Sequence, residues 1–517
     1  MSPPRQAEPV TIDGNGLTLA ALESVARSEA PVALTAAARE AVARSRRVVD
    51  EAVARGAVVY GVTTGFGNFA DVTIPRERLR ELQLNLVRSH AAGVGEPLGR
   101  AETRALMLLR ANVLAKGLSG IRPETLELLI AMLNAGVHPA VPAQGSVGAS
   151  GDLAPLAHLA LALVGEGRCL DETSSGTRGA DDALAAAGLQ PATLEAKEGL
   201  ALINGTQMMT ALAALALAES QRLAKTADVV GAMTLDALKG TDVAFDPRIH
   251  AARPHPGQAA SARNLRRLLA GSAIRESHRD CGKVQDAYSL RCIPQVHGAV
   301  RDALRYVAAT VEVELNAATD NPMVFADTGE LLSGGNFHGE PVAIAADVLS
   351  IATAELGSIS ERRTERLVNP ALSDLPAFLT EQGGVQSGLM IAQVVAAALV
   401  SENKCLAHPA SVDSIPTSAN KEDHVSMGSI AARKAAAVVS NTRRILAVEA
   451  IAACQALEFL RPLETSPALV AVYKRLRREV APLTRDRTLA PDIEAVAEMI
   501  RSGALVDSAA SVCDTLE

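Results

Sequence analysis

The sequence predicts a mainly α-helical protein, a long central helical bundle with a smaller mixed N-terminal domain. Three observations carry this prediction. Alanine and leucine recur at a density that favours helix on intrinsic propensity. Five apolar segments run well past the usual length of a globular helix. Gly, Pro and Asn collect between those segments rather than within them.

In chain order the long helices are expected at Gln207–Leu238, His297–Ala318, Glu340–Leu367, Val385–Cys405 and Met427–Leu460. Each is rich in Ala, Leu, Val and Ile. In the first, Glu219, Arg222 and Lys225 recur along one side. Helices that are apolar over so much of their circumference bury themselves against one another, whereas a coiled coil carries a narrower stripe. The intervening loops are Tyr60–Pro75, Val137–Asp152, Asp171–Leu189, Gly240–Gln258, Asp320–Glu340 and His408–Ser426. Asp171–Leu189, with Ser174 and Ser175, reads as a surface excursion, and Tyr60–Pro75 as a mobile loop because of its glycines. Boundaries near Gly205 and Pro462 give an N-terminal domain (1–204), a central bundle (205–461) and a C-terminal helical segment (462–517).

Composition narrows the function. The 517 residues are 48% hydrophobic, ample for a large core. The net charge of −8 without a long basic run argues against a nucleic-acid partner. Met1–Gly14 is polar and lacks the apolar core of a signal peptide. The apolar runs Met208–Ala218 and Gly388–Val400 are too short and too polar-flanked to span a bilayer, so no membrane partner is expected. Six scattered cysteines without a Cys-x-x-Cys pair suit a cytoplasmic protein with reduced thiols.

The chemistry collects in the loops. Gly148-Ala149-Ser150-Gly151-Asp152 can build an electrophile that no side chain provides. Gly151, lacking a Cβ, lets its nitrogen approach the Ala149 carbonyl. Ring closure there, with loss of the Ser150 hydroxyl as water, leaves an exocyclic methylene. The same residues also read as a loop in which Ser150 or Asp152 caps the helix beginning at Leu153. Six further motifs flank the apolar helices. Tyr60–Gly67 places a tyrosine in a Gly-rich turn, where it serves as a base only if its neighbours depress its pKa from about 10. Ser89-His90 offers an imidazole. Asn204-Gly205-Thr206-Gln207 precedes a long helix that Asn204 would orient or cap. Gln285–Cys292 sets Tyr288 and Arg291 on one helical face, with a guanidinium fork suited to a carboxylate. Asn336-Phe337-His338 supplies an aromatic, and Glu422-Asp423-His424 a carboxylate before a helix start. No histidine pair has helical ligand spacing, so no metal is expected. Phosphate-loop, dinucleotide and hydrolase-elbow patterns are missing from the sequence.

Together and in this order, these motifs resemble the aromatic amino acid ammonia-lyases. The resemblance runs from about Leu17 to the last helices, through Tyr60–Gly67, Ser89–Gly95, Gly145–His158, Glu198–Gln207, Gln285–Gly298, Ser333–Glu340 and His408–Gly428. It implies the long-helix fold shared with the fumarase/aspartase superfamily and a homotetramer whose sites draw on more than one subunit. It also implies a 4-methylideneimidazol-5-one (MIO) formed from Ala149, Ser150 and Gly151. By the same resemblance Tyr60 is the general base. Asn204 and Tyr288 would bond the prosthetic group and the reacting end. Arg291 would pair with the substrate carboxylate, Gln285 line the site, and Phe337 pack beside the ring. His90 and Glu422 would face the substrate side chain. Ser89-His90 and Glu422-Asp423-His424 resemble the histidine-acting branch, in contrast to a Gln at the position of Glu422 in phenylalanine and tyrosine lyases. The implied reaction is deamination of L-histidine to trans-urocanate and ammonia, the first step of histidine degradation. An aminomutase on the same scaffold is the alternative. Lys421 departs from the Gln common in bacterial relatives.

Overall fold

The computed structural model describes residues 8–171 and 176–517; Ser174 and Ser175 of the expected surface excursion lie outside them. The described chain forms twenty α-helices and eight short strands. The strands make four two-stranded sheets, one parallel and three antiparallel.

All five expected long helices form. They run Gln207–Ala237, Ile293–Glu314, Glu340–Val368, Met390–Leu406 and Gly428–Glu458. Ile293–Glu314 starts earlier than expected because Pro294 sits in the first turn, where its missing N–H goes unneeded. Met390–Leu406 starts later than Val385 because the backbone turns left-handed at Gly388, φ 56°. Several expected loops carry structure of their own. Asp171–Leu189 holds the strand Thr177–Gly179 and the helix Ala180–Ala186, and Asp320–Glu340 holds a hairpin of Met323–Phe325 with Glu330–Leu332. Glu340–Val368 contains a window apolar and long enough to cross a membrane, but 67% of that window is buried inside the protein.

The chain divides into two compact units. One gathers Met1–Leu215, Ala309–Asp347 and Pro409–Arg433; the other gathers Ala216–Ala308, Val348–His408 and Lys434–Glu517. The ranges 1–204, 205–461 and 462–517 follow chain order, whereas each unit collects three separated segments.

In the first unit the helix Arg100–Ala115 is a hub, buried continuously from Thr103 to Ala115. Two of its polar side chains reach distant backbone. Arg104 donates to the Val25 and Leu133 carbonyls at 2.8 and 3.1 Å, and Asn112 to Leu315 at 2.9 Å. In the second unit a chain of buried charges ties four long helices. Glu449 receives the Arg363 guanidinium at 2.5 and 2.8 Å and the hydroxyls of Thr234 and Ser360 at 2.7 and 2.6 Å. Arg363 Nη1 lies 3.3 Å from His297 Nε2, and His297 Nδ1 lies 2.7 Å from Asp228. Arg301 completes the row on Asp228 at 2.8 Å. His297 is therefore a neutral imidazole, accepting at Nε2 and donating at Nδ1, and burial pushes its pKa down accordingly.

Candidate active site

A cavity of about 860 Å³ opens in the first unit, and Tyr60, His90, Ser150, Asn204, Phe337 and Glu422 all line it. Tyr60 stands on a turn in which Gly61 is left-handed, φ 67°. Its hydroxyl accepts the Gly67 N–H at 3.3 Å, and its ring and that of Phe66 pack edge-to-face with centroids 6.4 Å apart. His90 is the last residue of the helix Leu79–His90. Its Nδ1 lies 2.8 Å from the Leu86 carbonyl, an acceptor, so Nδ1 carries the proton and Nε2 is left to accept. Burial lowers its pKa against the opposing pull of the Leu86 carbonyl and of Glu422. Phe337 is half-buried on the cavity wall.

The Ala149-Ser150-Gly151 loop follows the strand Pro142–Gln144 and precedes the helix Leu153–Leu163. It is held from both sides. Gly205 N–H donates to the Ser150 carbonyl at 3.3 Å, Ser146 Oγ to the Gly151 carbonyl at 3.2 Å, and Ser426 Oγ to the Gly148 carbonyl at 3.1 Å. Gly151 has φ 71°, and a Cβ there would collide with the Gly205 backbone, so only glycine fits. The Ser150 hydroxyl donates to Glu422 Oε1 at 3.2 Å.

Asp152 sits at the N-cap position of Leu153–Leu163 but makes no side-chain cap bond. Its carboxylate instead accepts the Met209 N–H at 2.9 Å and the Ser429 hydroxyl at 2.6 Å. It thus satisfies the start of a different helix, Gln207–Ala237, and fastens it to the triad loop. Burial without a cation pushes Asp152 up to about 6.

Asn204 does not cap the following helix through its side chain either. Its amide donates to Asp320 Oδ1 at 3.2 Å and to the Asn321 carbonyl at 3.1 Å. Both amide hydrogens are taken, so Asn204 offers its Oδ1 as an acceptor. Asp320 is itself fixed by the buried Lys197 ammonium at 2.8 Å, and the Asn204 carbonyl by Arg110 at 2.9 Å. Burial lowers Arg110 to about 10 and lowers Lys197 too, despite Asp320.

Glu422 lies at the end of a tight loop. Its Oε2 accepts the hydroxyls of Thr417 at 2.6 Å and Ser418 at 2.9 Å. Ser418, Ala419 and Asn420 are consecutively left-handed, φ 48°, 54° and 64°. Such a backbone costs roughly 1–2 kcal/mol per ordinary L-residue and persists only where the surroundings over-determine it. The sequence reading missed Thr417, Ser418, Lys197 and Asp320. A Ser/Thr pair five residues from a carboxylate was the available signal for the first two.

Five expected site residues are not among those lining the cavity: Ala149 and Gly151, on either side of Ser150, and Gln285, Tyr288 and Arg291. Gln285, Tyr288 and Arg291 belong to the second unit. Gln285 is exposed, Tyr288 is 72% exposed, and Arg291 stacks over the Tyr288 ring at 4.5 Å, the shared face that their spacing predicts. Among the described residues, His338, Glu340 and His424 also come within 4.8 Å of one another. Both ring nitrogens of His338 are engaged by backbone there, with the Glu340 N–H at 3.3 Å and the His424 carbonyl at 3.2 Å.

Residues 17–478 match the aromatic amino acid lyase family. A histidine ammonia-lyase of Symbiobacterium thermophilum is 57% identical over 98% of this chain and 99% of its own length. One from Koribacter versatilis is 56% identical over 96% and 99%. Among solved structures, histidine ammonia-lyase from Trypanosoma cruzi aligns with a TM-score of 0.91 at 47% identity, covering 98% of this chain and 95% of that one. Tyrosine aminomutase from Streptomyces globisporus aligns with 0.93 at 41%, covering 98% and 100%.

Proposed function

The chain belongs to the aromatic amino acid lyase family and is a carbon–nitrogen lyase, and from that premise we propose that its cavity deaminates L-histidine to trans-urocanate. The observation that carries this reading is Glu422. Glu422 lines the same cavity as Tyr60, His90 and Ser150, and its carboxylate is held by hydroxyls and not by a cation. Once the Ser150 hydroxyl is spent in forming the prosthetic group, Oε1 is left without a donor beside a phenyl ring and regains one from an imidazole N–H, a difference of up to several kcal/mol.

The family's MIO fits the residues present. Ala149, Ser150 and Gly151 would form it, at a loop where a Cβ on residue 151 has no room and the serine hydroxyl already bonds a carboxylate. Once formed, it supplies the electrophile that makes ammonia a leaving group. The chain's own groups do the rest. Tyr60 Oη takes the β-proton. Asn204 Oδ1 accepts a hydrogen bond at the reacting end, in the one orientation its amide partners allow. Phe337 packs beside the substrate, and His90 with Glu422 receives the ring.

No substrate-carboxylate partner is supplied by Gln285, Tyr288 and Arg291 where they stand outside the cavity lining. In a homotetramer those residues would complete the site of a neighbouring subunit, and the exposure of Tyr288 supports that role. All six cysteines are free, which supports a reducing, cytoplasmic setting.

The test is to offer histidine, tyrosine and phenylalanine and follow the near-ultraviolet band of the conjugated acid. Growth with histidine alone is expected. Ser150→Ala should lower turnover by at least about a thousandfold, as loss of a covalent group does. Full activity in that variant sinks the cofactor assignment.

A further inference from the structure

We propose that Thr417 and Ser418 are positioning residues that set the side-chain preference of the cavity, by occupying one oxygen of Glu422 and leaving the other to face the substrate ring. The inference rests on the histidine reading of the same cavity. The terminal torsion of a glutamate is soft, so an unanchored carboxylate turns freely and offers no fixed acceptor. Here Oε2 takes two short hydrogen bonds, 2.6 Å from Thr417 and 2.9 Å from Ser418, which fill the acceptor capacity of that oxygen. Oε1 has only the Ser150 hydroxyl, at 3.2 Å, and Ser150 lines the cavity with Glu422.

The two donors are themselves fixed by the backbone. Thr417 and Glu422 exchange hydrogen bonds, Thr417 N–H to the Glu422 carbonyl at 2.9 Å and Glu422 N–H to the Thr417 carbonyl at 3.4 Å. Lys421 N–H closes the turn on the Ser418 carbonyl at 3.2 Å. Within this closed turn the left-handed run from Ser418 to Asn420 brings the Ser418 hydroxyl back to the oxygen that Thr417 also holds. Strain kept at a cavity wall by such bonds is strain with a use. Ser418 and Ala419 line the cavity alongside Glu422. Because both donors are neutral, they orient the carboxylate without cancelling its charge. A ring N–H therefore meets the carboxylate in one orientation.

The test is steady-state kinetics of the full chain with Thr417→Val, Thr417→Ser and Ser418→Gly, with thermal melting alongside. Thr417→Val and Ser418→Gly should each raise KM for histidine about tenfold and change kcat less than about threefold, the pattern of lost ground-state binding. Thr417→Ser keeps the hydroxyl and should stay within about twofold of wild type. Ser418→Gly puts glycine where φ is already positive, so it should melt at or above the wild-type temperature and separate binding from folding. Unchanged KM in the first two variants, an effect confined to kcat, or Thr417→Ser as impaired as Thr417→Val overturns the inference alone. No histidine turnover by the wild-type protein overturns the histidine reading and this inference with it.

Discussion

Asp152 in the first unit and Asp228 in the second are both fully buried, yet they titrate in opposite directions. Burial pushes Asp152 up to about 6, and its partners, a serine hydroxyl and a backbone N–H, pull back only in part. Burial pushes Asp228 up as well, but the Arg301 guanidinium and the hydrogen bond from His297 outweigh it and hold the group below the usual carboxylate range. The same contrast separates Glu422 from Glu449. Glu422 is held by two hydroxyls and keeps one oxygen toward a cavity, whereas Glu449 is closed on both oxygens by Arg363, Thr234 and Ser360. Carboxylates sealed by cations tie helices together. Carboxylates held by neutral donors keep a charge or a proton available beside the triad loop.

Breaking a sealed carboxylate should have the largest effect on stability. Glu449→Ala strands the fully buried Arg363 and should cost about 3–5 kcal/mol, read as a shifted midpoint in denaturant. A loss under about 1 kcal/mol would mean that the charge row does not hold the bundle. The next effect is a difference of sign. Asp152 has a folded pKa above its ordinary 3.8, so its stabilisation is complete below about 3.8 and lost as pH rises through about 6. Relative to Asp152→Asn, the wild-type protein should gain roughly 2 kcal/mol as pH falls from about 7 to about 4. Asp228 runs the other way. Its contribution is present above the ordinary carboxylate range and lost as pH falls through its depressed pKa, so acidification should erode the wild-type advantage over Asp228→Asn. Equal signs in the two pH series would erase the distinction between the regions. The smallest stability effect should come from Glu422→Ala, within about 1 kcal/mol of wild type, because its partners are hydroxyls within reach of water. The same variant should lose at least about tenfold in kcat/KM for histidine while eluting at the wild-type volume. Full activity there would remove Glu422 from the site.

Much of this was legible in the chain. Long Ala- and Leu-rich runs became the five long helices because each is apolar over most of its circumference and has nowhere to go but a core. Their ends moved wherever a single backbone decision intervened, Pro294 at one start and Gly388 at another. Six of the expected site residues meet in one cavity, five of them in loops and His90 at the end of a helix. The rest was not legible. Local rules assign Asp152 and Asn204 to capping, and the fold spends their side chains on Met209, Ser429, Asp320 and Asn321, all distant in sequence. Thr417 and Ser418 look like any polar loop until a left-handed turn brings both hydroxyls to one oxygen.

By itself the sequence determined the helical class, through composition and periodicity, and the chemistry available at Ala149-Ser150-Gly151, through the absence of a Cβ and the presence of one hydroxyl. Those are properties of single residues and their near neighbours. Only the tertiary structure decided which carboxylates meet cations and which meet hydroxyls. Ser150 finds Glu422 across 272 residues, and Arg363 finds Glu449 across 86. Burial acts on both acids alike, so the partner brought in by the fold determines whether a carboxylate holds the protein together or faces its substrate.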